Sequence, residues 1–254
     1  MISVIIPTLW RSPYVGDLIK YLSAIPEVGE IIIIDNDNPN SIKYADHMTK
    51  LRVIENPENN YVNPSWNQGV NAAQYDKLCI LNDDVIIPSN VFTLMDTFLT
   101  ESVGMVGLAH SLFDNIQSDS RDLIENQPIC INRSNRRNFG YGCCIFIHKN
   151  SFTHIPDGLR IQYGDDWLFY SSDKQNYVLQ GFKIVGKLSA SLLDENQKLI
   201  NEEQVKAICT SDHELFWKLV DDEIIPREPT SDAHALKLNA LKAYRAKSRT
   251  NYYF

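Results

Sequence analysis

Residues 30–37 read Glu30-Ile31-Ile32-Ile33-Ile34-Asp35-Asn36-Asp37, an apolar run that stops at three polar residues. Near-continuous runs of β-branched residues are typical of strands that are covered on both faces of a sheet. Three further runs share this character, and they are Ile2–Ile6, Leu51–Ile54 and Lys77–Leu81. The sequence therefore predicts four buried strands in its N-terminal part.

Helical periodicity fills the space between these strands. Apolar residues from Tyr14 to Leu22 fall on one helix face, residues 64–75 are compatible with a helix, and Pro88-Ser89-Asn90 is a typical helix start. Strands that alternate with helices in this way predict an α/β fold with a largely parallel sheet.

The second half has a different pattern. Val103–Leu108 and Cys143–Ile147 are predicted strands, and the polar stretch from Asp114 to Asn138 between them is a predicted irregular loop. We expect a helix from Asp165 to Tyr177, helical structure from Ser211 that Pro226 and Pro229 interrupt, and a last helix from Ser231 to near Arg249. The predicted organisation is one domain over residues 1–210, in two halves of 1–110 and 111–210, with a C-terminal helical extension over 211–254.

Charge is unevenly distributed along the 254 residues. The net charge is −8, yet residues 234–254 contain no acid and five basic residues, Lys237, Lys242, Arg245, Lys247 and Arg249. An acidic body disfavours wrapping the whole protein around nucleic acid. The basic tail is interpreted as a solvated helix face. Alternatively, it contacts a polyanion or an acidic membrane, or it docks a second subunit through Leu236, Leu238, Leu241 and Tyr244.

The sequence contains no run of 18 apolar residues, and its start lacks the basic region and the length of a signal peptide. Its five cysteines have no CxxC spacing, and their odd number argues against a disulfide framework. We therefore expect buried, reduced cysteines and a cytoplasmic location.

Polar residues follow three of the predicted strands, at the sheet edge where ligands of open α/β sheets bind. These residues are Pro7, Thr8 and Arg11, then Asp35, Asn36 and Asp37, then Asn82, Asp83 and Asp84. The adjacent carboxylates Asp83 and Asp84 repel each other, and a Mn²⁺ or Mg²⁺ ion that is also bound by phosphate would offset the repulsion. A solvated turn or a helix N-cap pair is the alternative. Neither a GxGxxG nor a GxxxxGK[ST] motif is present, so phosphate must be held by other means.

Four segments in this order resemble the signature of family 2 glycosyltransferases of the GT-A fold. They are Ile2-Ser3-Val4-Ile5-Ile6-Pro7-Thr8, residues 30–37, Asn67-Gln68-Gly69 and Leu81-Asn82-Asp83-Asp84-Val85. The resemblance covers residues 1–110 well and the next hundred more loosely. It implies a Rossmann-like mixed, mainly parallel sheet flanked by helices, with the nucleotide-sugar half first and the acceptor half second. It also implies a metal-dependent, inverting transfer from a nucleoside-diphosphate sugar, expected to be a UDP-sugar, to a hydroxyl of a glycan or another macromolecule.

The same resemblance implies roles for individual residues. Pro7 and Thr8 would line the base pocket, and Arg11 and Asp37 belong to the expected donor-binding set. Asp35 would accept a hydrogen bond from the imide N–H of a uracil or thymine ring, and Asn67 would lie near the donor. Asp83 would approach the ribose or the sugar. Because Asn82 replaces the first acid of the usual D-x-D pattern, Asp84 is the expected metal ligand.

In the second half, Tyr163-Gly164-Asp165-Asp166-Trp167-Leu168 resembles the acidic pair of the family. By position Asp166 would be the general base, and Asp165 would hold the acceptor or support the base. A helix-capping pair is the alternative. Gly140-Tyr141-Gly142 resembles the approach to the acceptor pocket. Where many relatives supply a late histidine to the metal, this chain has Ser189, Ser191 and Asp194, so His213, Asp194 or water would complete the metal shell.

Three different functions are also compatible with the sequence. A sugar-1-phosphate nucleotidyltransferase also binds Mg²⁺ on an α/β fold, but it normally has a glycine-rich loop after the first strand, and residues 8–13 contain no glycine. A non-catalytic module that binds nucleotide sugars is the second of these functions. The third is a glycosyltransferase of viral type that acts on modified DNA, for which the basic tail would be a contact.

Overall fold

A central mixed sheet organises the chain. The structure is a computed structural model, and it describes residues 1–37, 49–114, 116, 127–186 and 201–248. The strands are β1 (Ile2–Thr8), β2 (Val28–Asp35), β3 (Leu51–Glu55), β4 (Lys77–Leu81), β5 (Val85–Ile86), β6 (Val103–Leu108), β7 (Cys130–Ser134), β8 (Cys144–His148), β9 (Gln175–Gln180) and β10 (Val185–Gly186). The helices are α1 (Val15–Ala24), α2 (Val62–Ala72), α3 (Ser89–Phe98), α4 (Gly164–Ser171), α5 (Glu202–Leu219) and α6 (Asp232–Ser248).

Eight of the strands form one sheet in the order β3-β2-β1-β4-β8-β6-β9-β7. The first four strands in this order are parallel to one another, and β6 is parallel to β9. Strand β8 is antiparallel to β4 and β6, and β7 is antiparallel to β9. Helices flank this sheet, and α5 and α6 follow it. The predicted mixed, mainly parallel α/β fold with C-terminal helices is therefore confirmed.

The N-terminal half of the sheet is built as its sequence pattern indicates. The side chains of Ile31 to Ile34 in β2 are fully buried, which agrees with a strand covered on both faces. Helix α2 packs directly on β1, because a Cβ atom at Gly69 would overlap the side chain of Ile5. The glycine of the Asn67-Gln68-Gly69 segment is thus explained by close packing.

A two-stranded ladder fixes the chain just after the acidic turn at residues 82–84. Strand β5 pairs antiparallel with β10, with Val85 opposite Gly186. A Cβ atom at Gly186 would overlap the carbonyl of Asp84, so the backbones approach closely. The backbone at Asp84 is therefore held between β4 on one side and this ladder on the other.

The predicted helix from Asp165 to Tyr177 is wrong in its second half. Helix α4 ends at Ser171, and β9 follows from Gln175, paired with β6 on one side and β7 on the other. The fully buried Asn176 anchors this strand, since its Oδ1 accepts from the Met105 N–H at 3.0 Å and its Nδ2 donates to the Phe169 carbonyl at 2.8 Å. A buried asparagine interrupts the apolar pattern that would have indicated a strand.

Two further expectations need correction. The stretch from Asp114 to Asn138 was expected to be irregular, yet β7 forms within it as an edge strand, in which Cys130, Asn132 and Arg133 are exposed. Helix α5 begins at Glu202, earlier than the expected Ser211, and runs through the predicted boundary between residues 210 and 211. A π-helical turn over Val220–Ile224 follows α5, and α6 then ends near the position that the sequence predicted.

Helix α6 packs on the protein through its buried residues and leaves Lys242 and Lys247 exposed. Leu238 and Leu241 are buried in the core, which leaves Leu236 and Tyr244 as the exposed members of the set expected to dock a second subunit. Arg245 pairs with Asp221 at 2.7 Å. Arg249 lies outside the described residues. The tail is therefore a folded element, and two of its four apolar residues belong to the core of this chain.

Lys237 of α6 is fully buried at the end of α4. Its ammonium donates to the carbonyls of Ser172, Lys174 (2.7 Å) and Phe169 (3.5 Å). These carbonyls lie in and after the last turn of α4, where a helix leaves acceptors without partners and where a cation is favourable. Burial lowers the pKa of this amine to about 8, so the charged form still prevails at pH 7. Lys237 thus ties the C-terminal helix to α4.

We expect Lys237→Met to lower the free energy of unfolding by about 1–3 kcal/mol, because it leaves buried carbonyl oxygens without a donor. Chemical denaturation measures the loss. Lys242→Met, a change of the same type at an exposed position of the same helix, is the control and should stay within about 0.5 kcal/mol of the wild type. Equal stability of the two variants would contradict the role given to Lys237.

The cysteines and helices bear on two further expectations. The five cysteines are free, and Cys79, Cys144 and Cys209 are buried as expected, whereas Cys130 is exposed and Cys143 is half-buried. In the part of the chain that the structure describes, none of the helices combines the length and the apolarity that a membrane span requires.

Candidate functional site

A cavity of about 670 Å³ lies at the carboxyl ends of β1, β2 and β4. A cavity of this size is typical of small-molecule and cofactor sites. Six of the residues predicted to hold the donor or the metal line it, and they are Pro7, Thr8, Arg11, Asp37, Asp83 and Asp84. The structure therefore brings together in one cleft residues that lie up to 77 positions apart in the sequence.

The acidic turn is tied to the loop that follows β1. The Thr8 hydroxyl donates to Asp83 Oδ2 at 2.6 Å, and the Ser12 hydroxyl donates to the Asp83 carbonyl at 2.8 Å. Asp83 and Asp84 are 5% and 4% exposed, and both face the cavity. Because two neighbouring carboxylates are costly in a buried place, this part of the cavity favours a positively charged partner.

Asp35 is the last residue of β2. It is fully buried and does not line the cavity, and its Oδ1 accepts from the Asp37 N–H at 2.9 Å. Its Oδ2 has no hydrogen-bond partner among the described residues. A buried acceptor without a partner is unfavourable, and an N–H donor from a ligand would satisfy it. Recognition of a base by Asp35 stays a prediction.

Asn67 is engaged with the protein on both sides of its amide. Its Oδ1 accepts from the Ile155 N–H at 3.0 Å, and its Nδ2 donates to the Ile155 carbonyl at 2.9 Å. It does not line the cavity. In this structure Asn67 holds α2 against the segment that precedes α4, and its expected contact with a donor stays a prediction.

Asp165 and Asp166 lie in the first turn of α4 and share one arginine. Arg137 Nε lies 2.8 Å from Asp166 Oδ1, and Arg137 Nη1 lies 3.3 Å from Asp165 Oδ2. The other oxygen of Asp165 accepts from the Asp166 N–H at 3.1 Å, as in a helix cap. The sequence pattern indicated the acidic pair but gave no role to Arg137, which lies in the polar stretch predicted to be an irregular loop.

The carboxyl group of Asp166 has an unusual acidity. Burial raises its pKa to about 6, Arg137 opposes the rise, and the neighbouring charge of Asp165 adds to it. The carboxylates in turn keep the pKa of the Arg137 guanidinium above its ordinary value, although burial acts against that. A carboxylate with a pKa near 6 is suited to accept a proton close to neutral pH.

Cys143 connects the two acidic pairs. It lines the cavity, and the pKa of its thiol is raised by burial first and then by the carboxylates of Asp84 and Asp165. Next to it, a Cβ atom at Gly142 would lie 2.9 Å from Asp165 Oδ2, and Gly140 lines the cavity with a positive φ of 78°. The segment from Gly140 to Cys143 therefore adjoins both the cavity and Asp165 in the first turn of α4.

His213 lies near the start of α4 and does not line the cavity. Its Nδ1 is 2.7 Å from the Tyr163 hydroxyl, and its ring packs edge-on against Trp217. Burial, followed by the charge of Arg245, lowers its pKa. Its role as a metal ligand stays a prediction. Asp194, the other residue considered for that role, lies outside the described residues, as do Ser189 and Ser191.

Backbone strain concentrates around the cavity. In the described part of the chain, four non-glycine residues have φ between 54° and 64°, and they are Trp10, Tyr61, Tyr163 and Asn201. Tyr61 and Asn201 line the cavity, and Tyr163 directly precedes α4. Such conformations cost about 1–3 kcal/mol each and are typical of ligand sites and switch regions.

Several wall residues were not predicted. Phe139, 60% exposed, stands at the cavity, and the Tyr61 hydroxyl accepts from Gln204 of α5 at 3.2 Å. Val205 and Ile208 of α5 add apolar surface. In the sequence, a phenylalanine directly before the Gly140-Tyr141-Gly142 segment was a usable signal. The contribution of α5 to the cavity wall could not be predicted from the sequence, because contact between a C-terminal helix and the cavity depends on tertiary packing.

The oxygen donors of the cavity suit a hard divalent ion. Carboxylates together with phosphate oxygens are preferred ligands of Mg²⁺ and Mn²⁺. Within the described ranges no group of three His, Cys, Asp or Glu side chains is arranged to hold a metal ion by itself. Asp84, with or without Asp83, therefore fits an ion that takes its remaining ligands from a bound diphosphate and water.

Comparisons with known proteins agree with this geometry. A model of the family described as Glycosyl transferase family 2 matches residues 3–154, which include the cavity edge up to Cys143. None of the curated proteins matches the chain.

Solved structures share the fold. Residues 1–349 of TarS from S. aureus match with a TM-score of 0.59 at 12% identity, over 98% of this chain and 73% of that one. The same part of TarS in complex with UDP-GlcNAc matches with a TM-score of 0.58 at 13% identity, over 98% and 74% of the two chains. The complex of the same part of TarS with UDP matches with a TM-score of 0.58 at 13% identity, over 98% of this chain and 73% of that one. At 12–13% sequence identity, this similarity shows a shared fold and nothing further.

Proposed function

Since the chain belongs to glycosyl transferase family 2 and is therefore a glycosyltransferase that uses a nucleotide-sugar donor, we propose that it is metal-dependent and inverts the anomeric configuration. The proposed donor is a UDP-sugar, and the proposed acceptor is a hydroxyl group of a glycan or another macromolecule. The TarS structures that contain UDP and UDP-GlcNAc support the choice of uridine for a chain of the same fold.

One observation carries this proposal. The segment from Gly140 to Cys143 links the two halves, because Gly140 and Cys143 line the same cavity as Asp84, and a Cβ atom at Gly142 would lie 2.9 Å from Asp165 Oδ2. A donor in the cavity beside Asp84 would therefore have its reacting carbon near the start of α4. This arrangement supports a donor half and an acceptor half that meet at one point.

In the proposed donor complex, residues at the strand ends hold the nucleotide. Pro7, Thr8 and Asp37 would contact base and ribose, and Asp83, fixed by the Thr8 hydroxyl, would approach the ribose or the sugar. Arg11, the cationic residue of this wall, would lie beside the phosphates. A Mn²⁺ or Mg²⁺ ion on Asp84 would supply positive charge that offsets the charge of the diphosphate.

Asp166 is the proposed general base. Its carboxylate takes the proton of the acceptor hydroxyl, whose oxygen forms a bond to the anomeric carbon as the bond from that carbon to the diphosphate oxygen breaks. The electron pair leaves with the nucleoside diphosphate. Attack from the face opposite the leaving group inverts the configuration. Asp165 would support the base through the Asp166 N–H and through Arg137.

A glycan is the acceptor that we propose first, and modified DNA is a second candidate because α6 carries exposed basic residues. A sugar-1-phosphate nucleotidyltransferase would instead join a nucleoside triphosphate to a sugar 1-phosphate, and a silent binding module would carry out no reaction. Donor hydrolysis by the purified protein would separate an enzyme from such a module.

A cytoplasmic location and a homo-oligomer through α6 stay predictions.

Thermal shift across a panel of nucleotide sugars, with and without Mn²⁺, tests the donor proposal. A ligand present at 100 times its Kd stabilises the folded state by about 2.7 kcal/mol, which is a measurable shift. We expect UDP-sugars with Mn²⁺ to raise Tm more than GDP- or CMP-sugars, and more than UDP-sugars without metal. Stabilisation by a nucleoside triphosphate with a sugar 1-phosphate would favour a nucleotidyltransferase.

The pH dependence of transfer follows from the acidity of Asp166. The base works as a carboxylate, and burial raises its pKa to about 6, so we expect kcat/KM to fall as pH decreases through about 6. The pH profile of kcat/KM from pH 4.5 to 9, with donor binding measured in parallel, checks this. A plateau that continues to pH 4.5 would contradict the assignment of Asp166.

A further inference from the structure

Arg137 occupies a position that the family match does not explain. It lies between β7 and the Gly140-Tyr141-Gly142 segment, and its guanidinium bridges both carboxylates at the start of α4. Its side chain is 26% exposed, compared with 3% for Asp166 and 16% for Asp165. The arginine therefore forms the outer side of the carboxylate pair, where an acceptor would approach.

The arginine is held in place by the protein. Besides its contacts with the two carboxylates, its Nη1 donates to the Asn138 carbonyl at 3.2 Å. Gly142 leaves the room that Asp165 needs to reach this arginine. A planar guanidinium fixed in this way can contact two neighbouring carboxylates at once, which a lysine cannot do with the same geometry.

The charge balance explains why such a contact is needed. Two adjacent carboxylates, one of them almost fully buried, would otherwise share a proton. Among the described residues, Arg137 is the one basic residue that forms an ion pair with Asp165 or Asp166.

We propose that Arg137 is a positioning residue, which holds Asp166 in the orientation and the charge state that a general base requires, while the charge of Asp165 acts in the opposite direction. The inference rests on the proposed function for the identity of the base. It goes further by assigning the reactivity of the acidic pair to a residue from a different segment of the chain. Arg137 acts through Asp166 and is not given a contact with the reacting atoms.

Other titratable groups near Asp166 do not change charge in the working range. The groups that interact with its carboxylate are Asp165, Tyr163 and Tyr170 from α4 and its start, Arg137 from the loop, and Tyr244 from α6. Burial raises the pKa of all three tyrosines above its ordinary value, so they stay neutral below pH 9. Arg137 and Asp165 are then the partners that set the charge on Asp166.

The test compares two variants that should have opposite effects. Arg137→Met removes the cation, and we expect the acidic limb of the kcat/KM profile to move up by about one pH unit or more, so that activity at pH 7 falls to about half of its plateau or less and recovers at pH 9. Asp165→Asn keeps the amide oxygen that accepts from the Asp166 N–H but removes the repelling charge, so the limb should move down. Arg137→Lys should restore a limb closer to that of the wild type. A residue with a purely structural role would lower activity equally at all pH values.

A second measurement does not depend on transfer. The carboxyl ¹³C resonance of Asp166, assigned by its absence in Asp166→Asn, reports its titration directly, and it should shift in the same two directions. If the wild type neither binds nor transfers a donor while these titrations shift as expected, the proposed function fails and the role of Arg137 stands. If donor transfer proceeds but both variants titrate like the wild type, the role of Arg137 is wrong. Should Arg137→Met not fold, Arg137→Lys and Asp165→Asn decide by the same readouts.

Discussion

We expect Asp166→Asn to lose sugar transfer while it keeps the affinity for the donor. A positioned general base contributes about 10²–10⁴-fold to a reaction rate, and an amide cannot take up the acceptor proton. The amide is similar in size to the carboxylate, and Asp166 does not line the donor cavity, so donor binding should change little. The measurements are kcat with a labelled UDP-sugar and calorimetric titration with UDP and Mn²⁺.

Asp157→Asn is the matched control, because Asp157 is an exposed aspartate in the segment that precedes α4. It should transfer sugar like the wild type. An Asp166→Asn variant that keeps more than about a tenth of the wild-type kcat would assign the base to another residue, with Asp165 as the first candidate.

Asp84→Ala should lose the metal-dependent part of donor binding. Removing the carboxylate leaves an ion without its protein ligand, and we expect the affinity for UDP in the presence of Mn²⁺ to fall at least about tenfold, with transfer reduced about 10²-fold or more. Without Mn²⁺, wild type and variant should bind UDP equally weakly. Calorimetric titration in both conditions isolates the metal contribution.

Asp17→Ala, at a 65% exposed position of α1, is the control for a loss of negative charge far from the cavity. Because Asp84 is buried, Asp84→Asn is a second variant that keeps the volume of the side chain. If both Asp84 variants bound the donor as tightly as the wild type, the assignment of Asp84 as the metal ligand would be wrong.

The N-terminal half of the site was predictable because its residues stand at the ends of buried strands. Each of Thr8, Asp37 and Asp84 follows a run of apolar residues, and the carboxyl ends of parallel strands meet at one edge of the sheet. Sequence position and spatial position therefore coincide there. Asp35 was expected beside the others, but it is the last residue of β2, is paired with Thr8 and Glu55 on either side, and is fully buried there.

The second half was harder for physical reasons. Arg137 and the acidic pair are joined across a segment with little periodicity, and no local pattern reports an ion pair between residues so far apart. Strand β9 contains the buried Asn176, whose two hydrogen bonds replace the apolar contacts that sequence patterns detect. In its sequence context, Lys237 resembles a solvated basic residue of the tail. Its partners are backbone carbonyls, and a sequence does not reveal which carbonyls a side chain will contact.

The contact between Lys237 and the carbonyls beyond α4 affects the design of shortened proteins. Cutting the chain after Asp232 removes the basic tail and so asks whether it recruits a nucleic-acid acceptor, but the cut also withdraws the ammonium group that braces the far end of the helix bearing Asp166. Its inactivity would then reflect a loosened catalytic scaffold. Reversing the charge of Lys242 and Lys247, both exposed on α6, keeps that brace and isolates the electrostatics of the tail.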